Sequence, residues 1–325
     1  MQSLDVDVLE SLLAWQRGGR RAWLVTVAQT FGASPRPPGS LLAMRDDGIL
    51  VGSVSGGCIE EDLVARREEF GGRAPHFRSY GITAEDARRF GLPCGGKLEV
   101  IVEAGIPVAD LEALLAHIEG GKVVARHVDL ATGAWSFAPA QPTDECERTD
   151  TRFTGIHGPR WRMLIIGASE IAHYLAEIAG TVDYRVFVCD PREEYRQAWR
   201  VPRATFVDGM PDDAVLAIRP DGHTVIITVS HDPKLDDMAL LEALKSEAFY
   251  VGAVGSQRTS DERRKRLAGF DLTAREIARL RGPVGLSIGS RTPPEIAVAI
   301  LADIIATRNG VMIERSAGSA SLRRA

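Results

Sequence analysis

Two cysteines flanked by glycine pairs are the residues best suited to chemistry. The run Gly52-Ser-Val-Ser-Gly-Gly-Cys-Ile-Glu-Glu-Asp62 joins an apolar strand-like arm to a helical pattern over Ile59–Phe70, which sets Cys58 where a strand hands over to a helix. A thiol at a helix start feels the positive end of the macrodipole and unpaired N–H groups, both of which favour thiolate. Gly56 and Gly57 remove side chains beside it and open the backbone to a ligand. Glu60, Glu61 and Asp62 act in the opposite sense, since nearby negative charge raises a thiol pKa. The ordinary alternative is a small core residue after a Gly-Gly turn. A second glycine-flanked cysteine, Cys94, sits in Gly91-Leu-Pro-Cys-Gly-Gly96, and the two loops are expected to face one cleft. Arg36, the one charge of the stiff segment Gly32-Ala-Ser-Pro-Arg-Pro-Pro-Gly39, is a candidate to aim a guanidinium at an anion.

A different chemistry is written after residue 160. The apolar run Met163–Gly167 reads as a buried parallel strand and leads into a helix over Glu170–Ala179, and Asp190 follows 23 positions after Gly167 at the end of the next strand. A glycine turn with an acid about 20 residues on is the dinucleotide pattern, in which pyrophosphate meets the helix start and the acid takes a ribose hydroxyl. Here Ser169 replaces the second glycine and Glu170 brings a negative charge to the phosphate position, so NAD(P) binding is doubtful. His231 in Ser230-His-Asp232, the cation of Gly255-Ser-Gln-Arg258, and Arg291 before the Thr292-Pro-Pro-Glu295 cap all fall near strand ends or helix starts.

The elements that must carry these residues follow from pattern. A helix spans the Val6–Gln16 periodicity, a strand Trp23–Thr30, a hairpin Leu41–Met44 with Ile49–Val54, then a strand at Phe77–Tyr80, a short helix at Ala84–Phe90, a strand at Leu98–Glu103, a helix at Val108–Ile118 and a hairpin turning at Thr132-Gly133. Strands at Val186–Cys189, Val225–Val229 and Phe249–Val254 then alternate with helices, the signature of a doubly wound parallel sheet. The expected fold is α/β: an N-terminal mixed α/β domain over 1–138, a polar linker over 139–158 that leaves Cys146 exposed, a Rossmann-like domain over 159–312, and a flexible tail over 313–325.

The chain has 325 residues, 45% hydrophobic and 26% charged, with a net charge of −5 that speaks against a general nucleic-acid surface. Four cysteines without a CxxC pair, three acids within the first ten residues and no long apolar run predict free thiols, a cytoplasmic setting and no membrane partner.

Taken together, Ser34-Pro-Arg-Pro-Pro-Gly39, Gly52 to Glu60 and Pro93-Cys-Gly-Gly96 resemble the N-terminal module of the xanthine dehydrogenase accessory factors of XdhC/CoxI type. Ile165-Ile-Gly-Ala168, Asp190-Pro-Arg192, His231-Asp232, Tyr250 to Ser256 and Ile288 to Ala297 resemble that family's Rossmann-like module. The resemblance implies a molybdenum cofactor chaperone that binds a molybdopterin cofactor, works with a cysteine desulfurase that replaces an oxo ligand by sulfido, and delivers the product to a xanthine dehydrogenase or aldehyde oxidase type molybdoenzyme. It makes Cys58 the molybdenum contact, with Gly56, Gly57, Cys94, Arg36, Gly167, Ser169, Asp190 and His231 as candidate cofactor-binding residues. A homodimer fits such a delivery protein. The family usually has Gly-Ala-Gly-His where this chain has Gly167-Ala-Ser-Glu170, which leaves open the form of the cofactor, with or without a nucleotide. Two alternatives remain: an NAD(P)-dependent oxidoreductase with Asp190 on the ribose and His231 as acid, and a thiol enzyme with Cys58 as nucleophile.

Overall fold

The computed structural model describes residues 4–32, 36–81, 96–202 and 204–311. Cys94, the short helix expected at Ala84–Phe90 and the tail from 313 lie outside them. The described chain forms two compact units that divide between Arg160 and Trp161.

The first unit opens with α1 (Leu4–Arg17), whose Val8, Leu9 and Leu12 are fully buried at helical spacing. Strands β1 (Ala22–Phe31), β2 (Leu41–Arg45), β3 (Leu50–Gly52), β4 (His76–Tyr80) and β5 (Lys97–Ala104) make an antiparallel sheet in the order β3-β2-β1-β5-β4. Between β3 and β4 lies α2 (Cys58–Ala65), which ends in a 3₁₀ turn at Arg67–Glu69. The helix expected to run to Phe70 therefore tightens after two turns. Phe70 still reaches the core with Ile59 and Leu63. Helix α3 (Val108–Glu119) follows β5.

The segment expected as a linker is not one. Strands β6 (Val124–Asp129), β7 (Trp135–Pro139), β8 (Glu147–Arg148) and β9 (Arg152–His157) form a second antiparallel sheet in the order β7-β6-β9-β8, so much of 139–158 is paired backbone. Its polar look has a physical cause. Arg126 of β6 is wholly buried and donates two hydrogen bonds to Glu103 of β5, at 2.8 and 3.0 Å, one to Thr26 at 3.3 Å and one to His157 at 3.3 Å. Trp135 donates to the same Glu103 at 2.7 Å. A buried ion pair of this kind is retained only where every charge has partners, and it fixes which faces of the two sheets meet. Cys146 is correspondingly half-buried, packed beside Ala28, Val128 and Phe153, and burial pushes its thiol pKa up.

The second unit is a parallel sheet in the order β12-β11-β10-β13-β14-β15. Its strands are β10 (Trp161–Ile166), β11 (Tyr184–Cys189), β12 (Thr205–Phe206), β13 (Thr224–Thr228), β14 (Tyr250–Ala253) and β15 (Leu280–Arg281). Helices α4 (Glu170–Thr181), α5 (Glu193–Ala198), α6 (Pro211–Ile218), α7 (Pro233–Lys245), α8 (Gln257–Leu267), α9 (Ala274–Ala278) and α10 (Pro293–Arg308) connect them. Separate apolar clusters fill the two faces of the sheet: α4 and α10 pack on Met163, Ile165 and Val188, while α6 and α7 pack on Leu164, Ile166 and Val251. The order reverses between β10 and β13, which is the position where open parallel sheets bind ligands. None of the described helices is long and apolar enough to cross a membrane.

Candidate functional site

In the first unit the site is a loop built around one carboxylate. Gly52 leaves β3 with φ +89°, and a Cβ there would lie 2.4 Å from the Leu41 carbonyl oxygen and 2.5 Å from Val8, so glycine is required for the chain to turn under α1. The loop then curls over Glu60. Backbone N–H groups of Val54, Ser55, Gly56 and Gly57 donate to its oxygens at 2.9, 2.8, 3.1 and 2.9 Å, the Ser53 hydroxyl adds a bond at 2.7 Å, and the Ser55 hydroxyl completes the set. Burial works against charge on Glu60, but the Ser55, Ser53 and backbone donors outweigh it and hold the carboxyl far below its usual range. Glu60 is the third residue of α2, the position from which a capping glutamate reaches back to the helix start.

This arrangement directs Cys58 outward. It is the first residue of α2 and is exposed, as are Gly56 and Gly57, and a Cβ on either glycine would meet nothing within 4 Å among the described residues. Their φ values of +104° and +152° explain why side chains are excluded although space is not. Two of the three nearby acids are engaged elsewhere, and Glu61 is exposed. Glu60 faces the loop N–H groups, and Asp62 accepts from Tyr80 at 3.0 Å and from Arg66 at 3.2 Å. Arg36 is half-buried and not free of partners. The described part of the unit thus presents a soft sulfur donor with open access on a preorganised loop, which fits a thiophilic metal centre or a sulfur-bearing ligand.

The second unit places Gly167, Ser169, Asp190 and His231 along the carboxyl ends of its strands, with Asp190 turned onto the loop after β10. Gly167 has φ +97°, and a Cβ there would lie 2.4 Å from the Ser230 Cα, so its glycine serves backbone packing. Ser169 caps α4 by accepting from Ala172 at 3.4 Å, and Glu170 is exposed beside it. Asp190, 4% exposed, accepts from the Ala168 N–H at 2.8 Å and from the Arg192 guanidinium at 2.7 and 2.8 Å. Burial opposes its charge, but Arg192 and the Ala168 N–H hold the carboxyl below its ordinary value. The acid expected on a ribose is closed into an internal ion pair, and the N–H expected on a phosphate points at that acid. Cys189, behind it, is core, its thiol pushed up to about 12 by burial and nearby Asp190.

A network that sequence reasoning missed holds the His231 loop. Buried Asp236 accepts from the Ser230 hydroxyl at 2.6 Å and from Arg263 at 2.9 Å, and Arg263 also donates to the Val254 carbonyl at 3.0 Å. His231 is left exposed with φ +60° at the mouth of a cavity of about 710 Å³. An acid on the apolar face of α7, among Leu235, Ala239 and Leu240, was the available signal that a buried cation would have to meet it.

Residues 15–81 match the model of the XdhC and CoxI family, and residues 163–304 match that of the XdhC Rossmann domain. The molybdenum cofactor insertion chaperone PaoD of Escherichia coli (strain K12) is 28% identical over 297 residues, covering 89% of this chain and 84% of that protein. A Bacillus subtilis (strain 168) protein, described as a probable xanthine dehydrogenase subunit, is 25% identical over 333 residues, covering 94% of this chain and 98% of that protein. A Bacillus halodurans protein whose crystal structure is described as a xanthine dehydrogenase shares the fold over 98% of both chains, with a TM-score of 0.72 at 24% identity.

Proposed function

Because the chain belongs to the XdhC/CoxI family of xanthine dehydrogenase accessory factors, we propose that it binds a molybdopterin-type molybdenum cofactor as cargo, shields it, and delivers it to a xanthine dehydrogenase or aldehyde oxidase type enzyme. The cofactor is held while a cysteine desulfurase installs the sulfido ligand, and the protein itself turns nothing over. One observation carries the reading: Glu60 locks the Gly52–Gly57 loop so that Cys58 stands exposed at a helix start, beside two glycines that no described atom crowds. A sulfur donor so placed suits molybdenum, a soft enough centre for sulfur ligation. The relative named as a molybdenum cofactor insertion chaperone supports the same reading.

The geometry favours a carrier over the two enzymatic alternatives. An oxidoreductase using Asp190 for the cofactor ribose would first have to break the Asp190–Arg192 pair. A cysteine nucleophile is ordinarily served by a neighbouring base, whereas the carboxylate nearest in sequence is committed to six loop donors. Protein purified from a cofactor-producing host should carry molybdenum and pterin in a fixed ratio and restore activity to a cofactor-free xanthine dehydrogenase type enzyme. Protein with neither, from a host whose molybdoenzymes are loaded, removes this function.

A further inference from the structure

A cavity of about 650 Å³ lies in the first unit, between the α1–β1 turn, the start of β1, the end of β5 and the segment that follows the 3₁₀ turn after α2. Cys58 is at the other end of α2, and no residue of the Gly52–Gly57 loop lines the cavity. Its apolar lining includes Trp23, Phe70, Ala104 and Ile106. The Trp23 indole N–H donates to the Phe70 carbonyl at 2.7 Å, which ties β1 to the segment after α2.

Three arginines line this cavity, and their charges are not equivalent. Arg20 is paired with Asp46 and Asp47, and Arg21 donates to Glu68 through both terminal nitrogens at 2.9 and 3.0 Å. The Arg73 side chain makes no hydrogen bond or ion pair among the described residues. Its position is nevertheless fixed. A Cβ on Gly133 would stand 1.8 Å from the Arg73 carbonyl oxygen, so the turn between β6 and β7 packs directly on that backbone. A Cβ on Gly105 would stand 3.8 Å from the Arg73 Cγ, so the side-chain stem lies along Gly105, another lining residue. One unmatched guanidinium is left on the cavity wall.

A second unsatisfied group belongs to the same lining. The Gln16 side chain, in the last turn of α1, makes no hydrogen bond among the described residues, and its amide oxygen is buried. A buried amide oxygen without a donor is costly until a ligand supplies one. A carboxamide offers one acceptor and two donors, the complement of a peptide group, and a guanidinium takes a carboxylate in a bidentate pair. One free cation matches a single carboxylate rather than a phosphate group of charge about −2. A carboxylate, an adjacent peptide group and an apolar side chain occur together at the free carboxyl end of a protein chain, a feature that proteins recognise as such.

We propose that this cavity docks the carboxyl terminus of a partner protein whose last residue is apolar, with the carboxylate on Arg73, the last peptide group on Gln16 and the last side chain against the apolar lining. The partner is then engaged through a surface other than Cys58. The proposal goes beyond the Cys58 reading and does not depend on it.

The test is isothermal titration of the full chain with the peptide acetyl-glycyl-glycyl-leucine, its carboxyl-terminal amide, and free leucine. Saturable binding of the peptide acid is expected, with the amide about tenfold weaker because it offers Arg73 no charge. Free leucine, which has an ammonium in place of the peptide group, should also bind more weakly. Arg73→Gln should lower the acid to the level of the amide, and the exposed position carries little risk to the fold. Gln16→Met keeps the length of the side chain, removes the unsatisfied oxygen, and should weaken the acid about fivefold while its preference over the amide survives. Cys58→Ala should bind as the wild type does, which separates failure here from failure of the thiol reading. No saturable binding of the acid would overturn the proposal, as would an amide that binds equally well or an Arg73→Gln variant of unchanged affinity. Gln16→Met at wild-type affinity would overturn the placement of the last peptide group. Leucine as tight as the peptide would make this an amino-acid site and overturn the docking role.

Discussion

In the Gly52–Gly57 loop a carboxylate from the following helix, Glu60, fills a cup of backbone N–H groups; in the Gly167–Ser169 turn the carboxylate comes from the next strand, through Asp190. Both turns lead into a helix start, and in both the chain supplies its own anion. The consequences differ. Glu60 reaches back from the third position of α2, so filling the cup fixes the start of that helix and leaves Cys58 exposed. Asp190 arrives with Arg192, and the pair seals the turn without presenting a reactive group. An internally satisfied anion hole is a scaffold, and its function depends on which side chain it leaves exposed.

The difference can be broken from either end. Glu60→Ala should have the largest effect, about 3 kcal/mol on the first unit in urea unfolding, because it strands the buried Val54 N–H and loosens the part-buried donors around it. Its isosteric partner Glu60→Gln should give a pH signature. The folded Glu60 carboxyl is depressed, so its contribution is complete above the ordinary glutamate value near 4.5 and fades as pH falls below it. The gap between wild type and Glu60→Gln should therefore narrow on acidification; a gap constant from pH 7 to 3 would mean the loop is not held by charge. Asp190→Ala should cost less, about 2 kcal/mol, since it orphans the Ala168 N–H while Arg192 can turn to solvent. Gly56→Ala should cost about 1 kcal/mol, from backbone strain at φ +104° alone, because space is available there. If Gly56→Ala proves costlier than Asp190→Ala, the open face over Gly56 is not open.

The legibility of these features in the sequence follows the same physics. Periodic apolar runs gave α1, the β2–β3 hairpin and the alternating elements of the parallel sheet, because each buries one face or both against a large core. Strands β8 and β9 stayed hidden, since β8 is short and exposed and β9 buries Thr154 and His157 beside Arg126, which breaks the apolar alternation. The position of Cys58 at a helix start was readable from the glycine pair and the periodicity that follows. The direction of Glu60 was not, although Gly57-Cys-Ile-Glu60 has the spacing of a capping glutamate. Read as a neighbouring negative charge, it counted against the thiol; in the fold it is turned into the loop. Asp190 misled in the opposite way, because a strand-end acid looks identical whether it awaits a ribose or an arginine two residues on. The missing second glycine at Ser169 and the charge of Glu170 were the sequence's own indications that this turn departs from the dinucleotide pattern.

Cys58→Ser tests directly whether Cys58 is the contact that holds the proposed cofactor, with little risk to the fold because the residue is exposed. Wild-type and variant protein from the same cofactor-producing host would be compared for molybdenum by mass spectrometry and for pterin by fluorescence after oxidation, with matched thermal unfolding as the control. Molybdenum and pterin should fall together in Cys58→Ser while the unfolding midpoint stays where it was. Equal molybdenum and pterin in the two proteins would contradict it.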